Sequence, residues 1–152
     1  MMQILEATEL CDELNELMDL ELAAEHRCRT TAAYVDSPGL KARLLLCAAG
    51  HEVDADRLRH LVLEYDGIPH GGETTAILAD PVHLFPHVDG GDDRRLLDAC
   101  VQEEDAEIER FEGFLQDDHW PELARDVVWD CLGRVRSRRR VLSDWAGGAP
   151  LG

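Results

Sequence analysis

The sequence predicts an all-α protein, a four-helix bundle made of two antiparallel helix pairs that a long crossover joins. Hydrophobic residues are 45% of the 152 residues and aromatic residues only 5%, so leucine and alanine, which favour helices, supply most of the apolar content. Four stretches repeat apolar residues at helical spacing. Two of the connections between these stretches are short and one is long, and these lengths decide the topology.

The first two predicted helices run from about Ala7 to Val35 and from Pro38 to Gly67. Along the first helix, the residues of one face, most of them apolar, recur at alternating intervals of four and three positions and form an apolar stripe. Ser37 lies at the start of the second helix. Serine suits the N-cap, and the proline after it suits the first helical position because its missing N–H needs no partner there. The glycine at the end, followed closely by another proline, predicts where the second helix stops.

The other two helices follow a stretch without helical period, residues 67–91, whose glycines and prolines predict the crossover. The third helix runs from about Asp92 to Leu115, the fourth from about Pro121 to Ala146, and residues 147–152 predict a disordered tail. A helix of about 25 residues is about 38 Å long, and a linker of similar residue number can span that length. We therefore expect the third helix to start at the far end, parallel to the second, within one domain over residues 1–152.

Charge and cysteine content narrow the class of protein. The net charge is −17, from 32 acidic and 15 basic residues, which argues against nucleic acid and anionic membranes as main partners. No apolar run approaches the roughly 20 residues of a membrane span, and residues 1–5 are too short for a signal-peptide core, so we expect a cytoplasmic protein. Five cysteines without a paired C-x-x-C spacing indicate small buried apolar side chains.

Polar residues interrupt all four apolar stripes near mid-helix. Helix by helix they are Glu21 with Glu25 one turn on, His51 with Asp54, Glu104 with Glu107 one turn on, and Arg138 with Arg134 and Asp130 nearby. Folding the helices back about their short turns predicts that Glu21 lies level with Asp54, Glu25 with His51, and Glu104 with Arg134. One polar residue on a stripe usually sets register or reaches the edge of the helix. Polar residues on all four stripes favour an interior polar layer.

Such a layer needs positive charge. Removing each ionised carboxylate from water costs several kcal/mol. The candidates for the counter-charge are a bound metal, a protonated His51, or a guanidinium from Arg134 or Arg138. The residues leave these alternatives open.

Two stretches carry a resemblance to a known group of proteins. They are "SPGLKARLLLCAAGHEVDADRL" at residues 37–58 and "LLDACVQEEDAEIERFEGFL" at residues 96–115. Both resemble the second and third helices of the ferritin-like superfamily, which contains rubrerythrins and bacterioferritins. More narrowly they resemble a bacterial family of small ferritin-like bundles classed as a domain of unknown function. With the first helix, the likeness covers most of residues 10–145.

The superfamily implies a di-iron or di-manganese site, with a Glu from helices one and three and a Glu-x-x-His pair from helices two and four. By this likeness Glu21 or Glu25 takes the helix-one role and Glu104 the helix-three role. Helix two departs from the pattern, because His51 comes before Asp54. Helix four departs further, because an arginine, Arg138 or Arg139, stands where its histidine would be sought.

Two functions follow as expectations. The first is a ferritin-like protein that binds iron or another divalent transition metal through Glu21, Glu25, His51, Asp54 and Glu104, and that can oxidise iron or react with oxygen. We expect one ion, since an arginine would repel a second, and a homodimer by analogy with small ferritin-like chains. The second is a metal-free bundle in which an arginine has replaced the metal through bidentate hydrogen bonds, serving as a structural or protein-interaction module.

Overall fold

The computed structural model describes residues 4–71 and 93–146 of the chain. They form four helices, α1 (Ile4–Tyr34), α2 (Pro38–Glu64), α3 (Asp93–Leu115) and α4 (Glu122–Ala146). Helices contain 87% of the described residues, which include no strand. The prediction of an all-α four-helix bundle is therefore confirmed. None of the described helices combines the length and hydropathy needed to cross a membrane.

Each helix packs against two neighbours, α1 and α4 both lying beside α2 and α3. Thr31, in the last turn of α1, contacts Cys100 in the first half of α3. Glu16, in the first half of α1, pairs with Arg110 in the second half of α3. Because one residue number falls as the other rises, α1 and α3 are antiparallel. The same reasoning makes α1 antiparallel to α2, so α2 and α3 run in the same direction, as the connection lengths predicted.

The described ends of the predicted crossover lie at opposite ends of the bundle. Gly67, just after α2, lies against Cys11 near the start of α1. Asp93 at the start of α3 accepts hydrogen bonds from the backbone N–H groups of Asp36 and Ser37, just after α1. Most of the crossover (67–91) and the predicted tail (147–152) lie outside the described residues, and the single domain over 1–152 stays a prediction.

The ends of α2 show why this segment is helical only between residues 38 and 64. Ser37 Oγ accepts from the N–H of Leu40, and Pro38 is the first helical residue, as predicted. The helix ends at Glu64, before the predicted Gly67. Asp66 takes the left-handed conformation. The N–H groups of Asp66 and Gly67 donate to the carbonyl oxygens of Leu63 and Val62, which completes a Schellman motif.

Two apolar clusters fill the bundle, one on each side of the polar residues. One contains Leu14, Phe111 and Val128, and the other contains Leu44, Leu97 and Leu142. All five cysteines are buried and unpaired, as the sequence predicted. The polar layer therefore lies at mid-height, remote from both ends of the bundle, where its carboxylates and His51 are shielded from water.

Replacing Gly67 tests the close approach of the chain after α2 to α1. A Cβ atom here would lie 2.5 Å from Cys11 Sγ and 2.9 Å from Val62 Cγ1, so the backbone must shift. We expect Gly67→Ala to lower the free energy of unfolding by about 1–3 kcal/mol, measured by urea denaturation. In Gly133→Ala the new methyl group meets nothing within 4 Å, and the variant should gain about 0.5–1 kcal/mol. Equal stabilities would contradict the packing described.

Candidate functional site

The structure brings together four of the five residues predicted as ligands. Glu21, His51, Asp54 and Glu104 are each fully buried, on α1, α2 and α3. Glu25 lies apart from them. Its side chain is 21% exposed and pairs with Arg29, one turn along α1, at 3.0 Å.

His51 is the centre of the layer. Its Nδ1 lies 2.9 Å from Glu21 Oε1, and its Nε2 lies 2.8 Å from Glu104 Oε1. A neutral imidazole donates from one nitrogen only. The two contacts therefore require either an imidazolium between two carboxylates or a proton on one of the carboxyl groups.

The helix registers differ from those predicted. Glu21 lies level with His51, not with Asp54, because the turn between α1 and α2 centres on Asp36. Asp54 instead faces α4 and accepts from Arg134 Nε and Arg138 Nη2, both at 2.7 Å. The prediction that Glu104 lies level with Arg134 is also wrong. Asp105, the next residue of α3, pairs with Arg139 at 2.8 Å, and Arg136 pairs with Glu112 at 2.7 Å. Glu104 therefore lies more than one turn away from the level of Arg134.

Glycine at position 50 lets Arg138 reach the layer. A Cβ atom on Gly50 would lie 2.8 Å from Arg138 Nη1, so the guanidinium rests against bare backbone of α2. Its Nη2 lies 3.3 Å from His51 Nδ1 and 3.6 Å from Glu21 Oε2. Arg138 therefore contributes positive charge on the Nδ1 side of the imidazole.

Two residues of the layer were not among the predicted ligands. Glu107 is 2% exposed, and its Oε1 lies 3.8 Å from His51 Nδ1. Arg27 is 6% exposed, and its Nη2 lies 3.7 Å from Glu104 Oε1. The sequence did carry a signal for the burial of Glu107, because this residue lies one helical turn after Glu104 on the same side of the helix. Arg27 stands beside the apolar stripe of α1, where helical periodicity gives no sign of burial.

The carboxyl groups of the layer have opposite pKa shifts. Burial, with the neighbouring Glu107, raises the pKa of Glu21 well above its ordinary value. Burial also raises the pKa of Glu107. Burial alone would raise the pKa of Glu104 too, but His51, Arg27 and Arg138 together bring it below its ordinary value. Among the three buried glutamates of the metal-free layer, Glu104 is therefore the one whose negative charge is best compensated.

When Glu21 or Glu107 carries a proton, the two carboxyl groups share a hydrogen bond. Otherwise several carboxylate oxygens lack a hydrogen-bond partner among the described residues. They are Glu21 Oε2, Glu104 Oε2 and both oxygens of Glu107, all fully shielded from solvent. Glu21, His51 and Glu107 each offer one donor atom, and these three atoms lie within 4.8 Å of one another. Carboxylate oxygens and imidazole nitrogens are ligand atoms that divalent transition metals accept. These buried carboxylate and histidine groups could hold a metal ion.

A cavity between α1 and α3 adjoins this layer. Its volume is about 710 Å³, and its lining includes Arg27 and Glu107 together with the small side chains of Ala23, Ala99 and Ala106. These small side chains leave open space between the two helices. The cavity therefore lies next to Glu107, whose carboxylate oxygens are themselves shielded from solvent.

Removing Arg138 tests its role in compensating the buried acids. Its side chain is 11% exposed, whereas Arg136 on the same helix forms an exposed pair with Glu112. We expect Arg138→Ala to lower the free energy of unfolding of the metal-free protein by about 3–5 kcal/mol, because it leaves Asp54 and Glu21 poorly compensated. Arg136→Ala should cost less than about 1 kcal/mol. Similar losses in both variants, by urea denaturation, would contradict the role given to Arg138.

The raised pKa of Glu21 predicts a pH dependence of stability in the metal-free protein. A raised folded-state pKa gives stability that is complete below the ordinary value of 4.5 and is lost as pH rises through the folded-state pKa. Glu21→Gln cannot lose this proton. Its free energy of unfolding should fall less than that of wild type between about pH 5 and pH 8. The exposed Glu9→Gln should follow the wild-type profile, and a Glu21→Gln profile that also does so would refute the assignment.

The comparisons with known proteins agree with part of the predicted resemblance. A family model described as "Domain of unknown function (DUF2383)" matches residues 9–117, which include most of α1 and all of α2 and α3. The arginines of α4 lie beyond the matched residues. A search of curated proteins gave no match. The family model matches more than half of the chain, and the chain therefore belongs to the DUF2383 family.

Proposed function

We propose that this protein is a ferritin-like metal-binding protein that holds one ion of iron or another divalent transition metal inside its bundle. The observation that carries the proposal is the pair of fully buried carboxyl groups of Glu21 and Glu107 beside His51 Nδ1, whose oxygens need either a shared proton or a cation between them. The negative charge of these two carboxyl groups is the least compensated by nearby positive charge in the layer. A divalent cation bound between them would neutralise both at once.

The contacts of His51 suit a metal ligand. A proton on Nε2 donates to Glu104 Oε1 at 2.8 Å, which leaves the lone pair of Nδ1 facing Glu21 and Glu107. Metal-binding histidines commonly donate their other N–H to a carboxylate, which orients the ring. Glu104 then positions the imidazole, while Glu21, His51 and Glu107 supply two oxygens and one nitrogen, donors that suit iron and manganese.

The topology supports the ferritin-like part of the proposal. Two antiparallel pairs with α2 and α3 running in the same direction need one long connection, as in ferritin-like bundles. The departure is α4, which brings Arg138 rather than a Glu-x-x-His pair to the layer. Because Asp54 already accepts from two arginines, we propose a single ion and do not assign Asp54 or Glu25 to it.

A second candidate function is a metal-free structural or protein-interaction module. The observation in its favour is the pair of 2.7 Å bonds that Arg134 and Arg138 make to Asp54. The Arg138 guanidinium also lies 3.3 Å from His51 Nδ1, the nitrogen that the ion would use. An ion and this guanidinium therefore compete for one position, so the metal content of the protein separates the two candidates.

Metal analysis tests the proposal. Protein freed of metal, incubated with Fe²⁺ or Mn²⁺ without oxygen and then desalted, should retain about one ion per chain, because ligands preorganised by the fold bind tightly. Glu107→Gln, which keeps the side-chain shape but removes the charge, should reduce the content several-fold. His51→Ala should reduce it to less than about one-tenth of an ion per chain.

The matched control is His60→Ala, which removes a histidine on the same helix whose side chain is 63% exposed. This variant should retain the wild-type metal content. A folded wild-type protein that keeps less than about one-tenth of an ion per chain would exclude metal binding and leave the metal-free module.

A further inference from the structure

The opposite side of the same imidazole carries a second group of metal-ligating atoms. Cys28 on α1, His51 on α2 and Glu104 on α3 each offer one donor atom, and these atoms lie within 4.8 Å of one another. All three side chains are fully buried. The Glu104 Oε2 atom has no hydrogen-bond partner among the described residues, so this group also contains an unsatisfied acceptor.

We propose that Cys28, His51 and Glu104 form a separate site for a thiophilic divalent ion of the zinc class, bound at His51 Nε2. Sulfur, nitrogen and oxygen together are a donor set that zinc accepts, whereas iron and manganese in simple ion sites are better served by oxygen-rich sets. Three protein ligands leave the fourth tetrahedral position open. Cys28 binds as the thiolate, and its proton passes to the buffer.

The distances suit such an ion after a small adjustment. Zinc bonds of about 2.0–2.3 Å place the donors around a tetrahedral ion roughly 3–4 Å apart. The 2.8 Å contact between His51 Nε2 and Glu104 Oε1 must lengthen slightly. The free Oε2 atom of Glu104 gives the carboxylate a second way to bind. Arg27, 3.7 Å from Glu104, would lose part of its negative partner, which limits the affinity.

The imidazole makes the two positions mutually exclusive. A neutral ring has one lone pair, so an ion at Nε2 requires the proton on Nδ1, where Glu21 Oε1 accepts it at 2.9 Å. An ion at Nδ1 requires the proton on Nε2. The bound ion therefore selects the tautomer. This inference shares His51 with the proposed function but needs neither Glu107 nor an ion at Nδ1.

Cobalt titration of the metal-free, full-length protein tests this site. Co²⁺ bound by a thiolate gives a charge-transfer band in the near ultraviolet that oxygen and nitrogen ligands do not give. We expect the band in the wild type and its loss on addition of Zn²⁺. It should be absent in Cys28→Ser and present in Cys131→Ser, which changes another fully buried thiol outside the group.

Glu107→Gln separates this inference from the proposed function. The variant should keep the cobalt–thiolate band while its Mn²⁺ content falls several-fold. A wild-type protein that binds Mn²⁺ but shows no band would overturn the Cys28 site alone. A band in a wild-type protein that retains neither Mn²⁺ nor Fe²⁺ would overturn the proposed function alone. Persistence of the band in Cys28→Ser would also overturn the Cys28 site.

X-ray absorption of the zinc-loaded wild type needs no variant to fold. A sulfur neighbour at about 2.3 Å from zinc supports the site, and a shell of only nitrogen and oxygen overturns it.

Discussion

His51 is held between two fully buried carboxyl groups, and the rest of the layer depends on this contact. Glu21 on α1 and Glu104 on α3 approach opposite nitrogens of one ring on α2. The contact joins three helices at mid-height, between two apolar clusters that keep water out. Charges in such a place are tolerated only when they are paired and hydrogen-bonded, because desolvation of each costs several kcal/mol. The arginines of the layer help to meet this cost, whereas Glu107 adds to it.

Nearby positive charge compensates the buried carboxylates of the layer unequally. On the α4 side, Asp54 has two arginines at hydrogen-bond distance. On the α1–α3 side, Glu104 has His51 and, less closely, Arg27. Glu107 receives no hydrogen bond from a nitrogen donor among the described residues, and its bond with Glu21 requires a proton on one of the two carboxyl groups. The layer is thus satisfied at one edge and short of positive charge at the other, beside the cavity that Arg27 and Glu107 help to line.

A single imidazole in this position gives the layer two chemically different sides. Its Nδ1 faces carboxylates, and its Nε2 faces a carboxylate and a thiol. Only one nitrogen of a neutral ring can bind an ion, and the other must donate its proton. The fold provides an acceptor for that proton on both sides, Glu21 on one and Glu104 on the other. The arrangement therefore allows the kind of ion, rather than the protein alone, to decide which side is used.

Much of the fold could be predicted from the sequence, because helical periodicity and the cap at Ser37 are local signals. The common direction of α2 and α3 followed from connection lengths alone. Burial of His51 and Asp54 was also predictable, since both interrupt an otherwise apolar stripe. Glu21 and Glu25, however, lie one turn apart on the same edge, and only the register of α1 against α2 decides which is buried. That register depends on side-chain packing, which periodicity does not contain.

The length of arginine side chains was the other limit on predicting the site from the sequence. The backbone of Arg27 lies beside the apolar stripe of α1, and only its long, flexible side chain brings the guanidinium into the interior. Its position along the helix therefore does not indicate that it is buried. Arg138 reaches the layer because Gly50, on another helix, has no side chain to block it. Contacts of this kind join residues far apart in the chain. They become visible only once the helices are placed in three dimensions.

Anomalous diffraction from crystals soaked in Mn²⁺ is the most direct test that the buried layer requires a cation beside His51. We expect a manganese peak in the interior, bonded to His51 Nδ1 and to oxygens of Glu21 and Glu107, with the Arg138 guanidinium displaced toward Asp54. A map with manganese only at surface carboxylates, and with Arg138 still against His51 Nδ1, would contradict it.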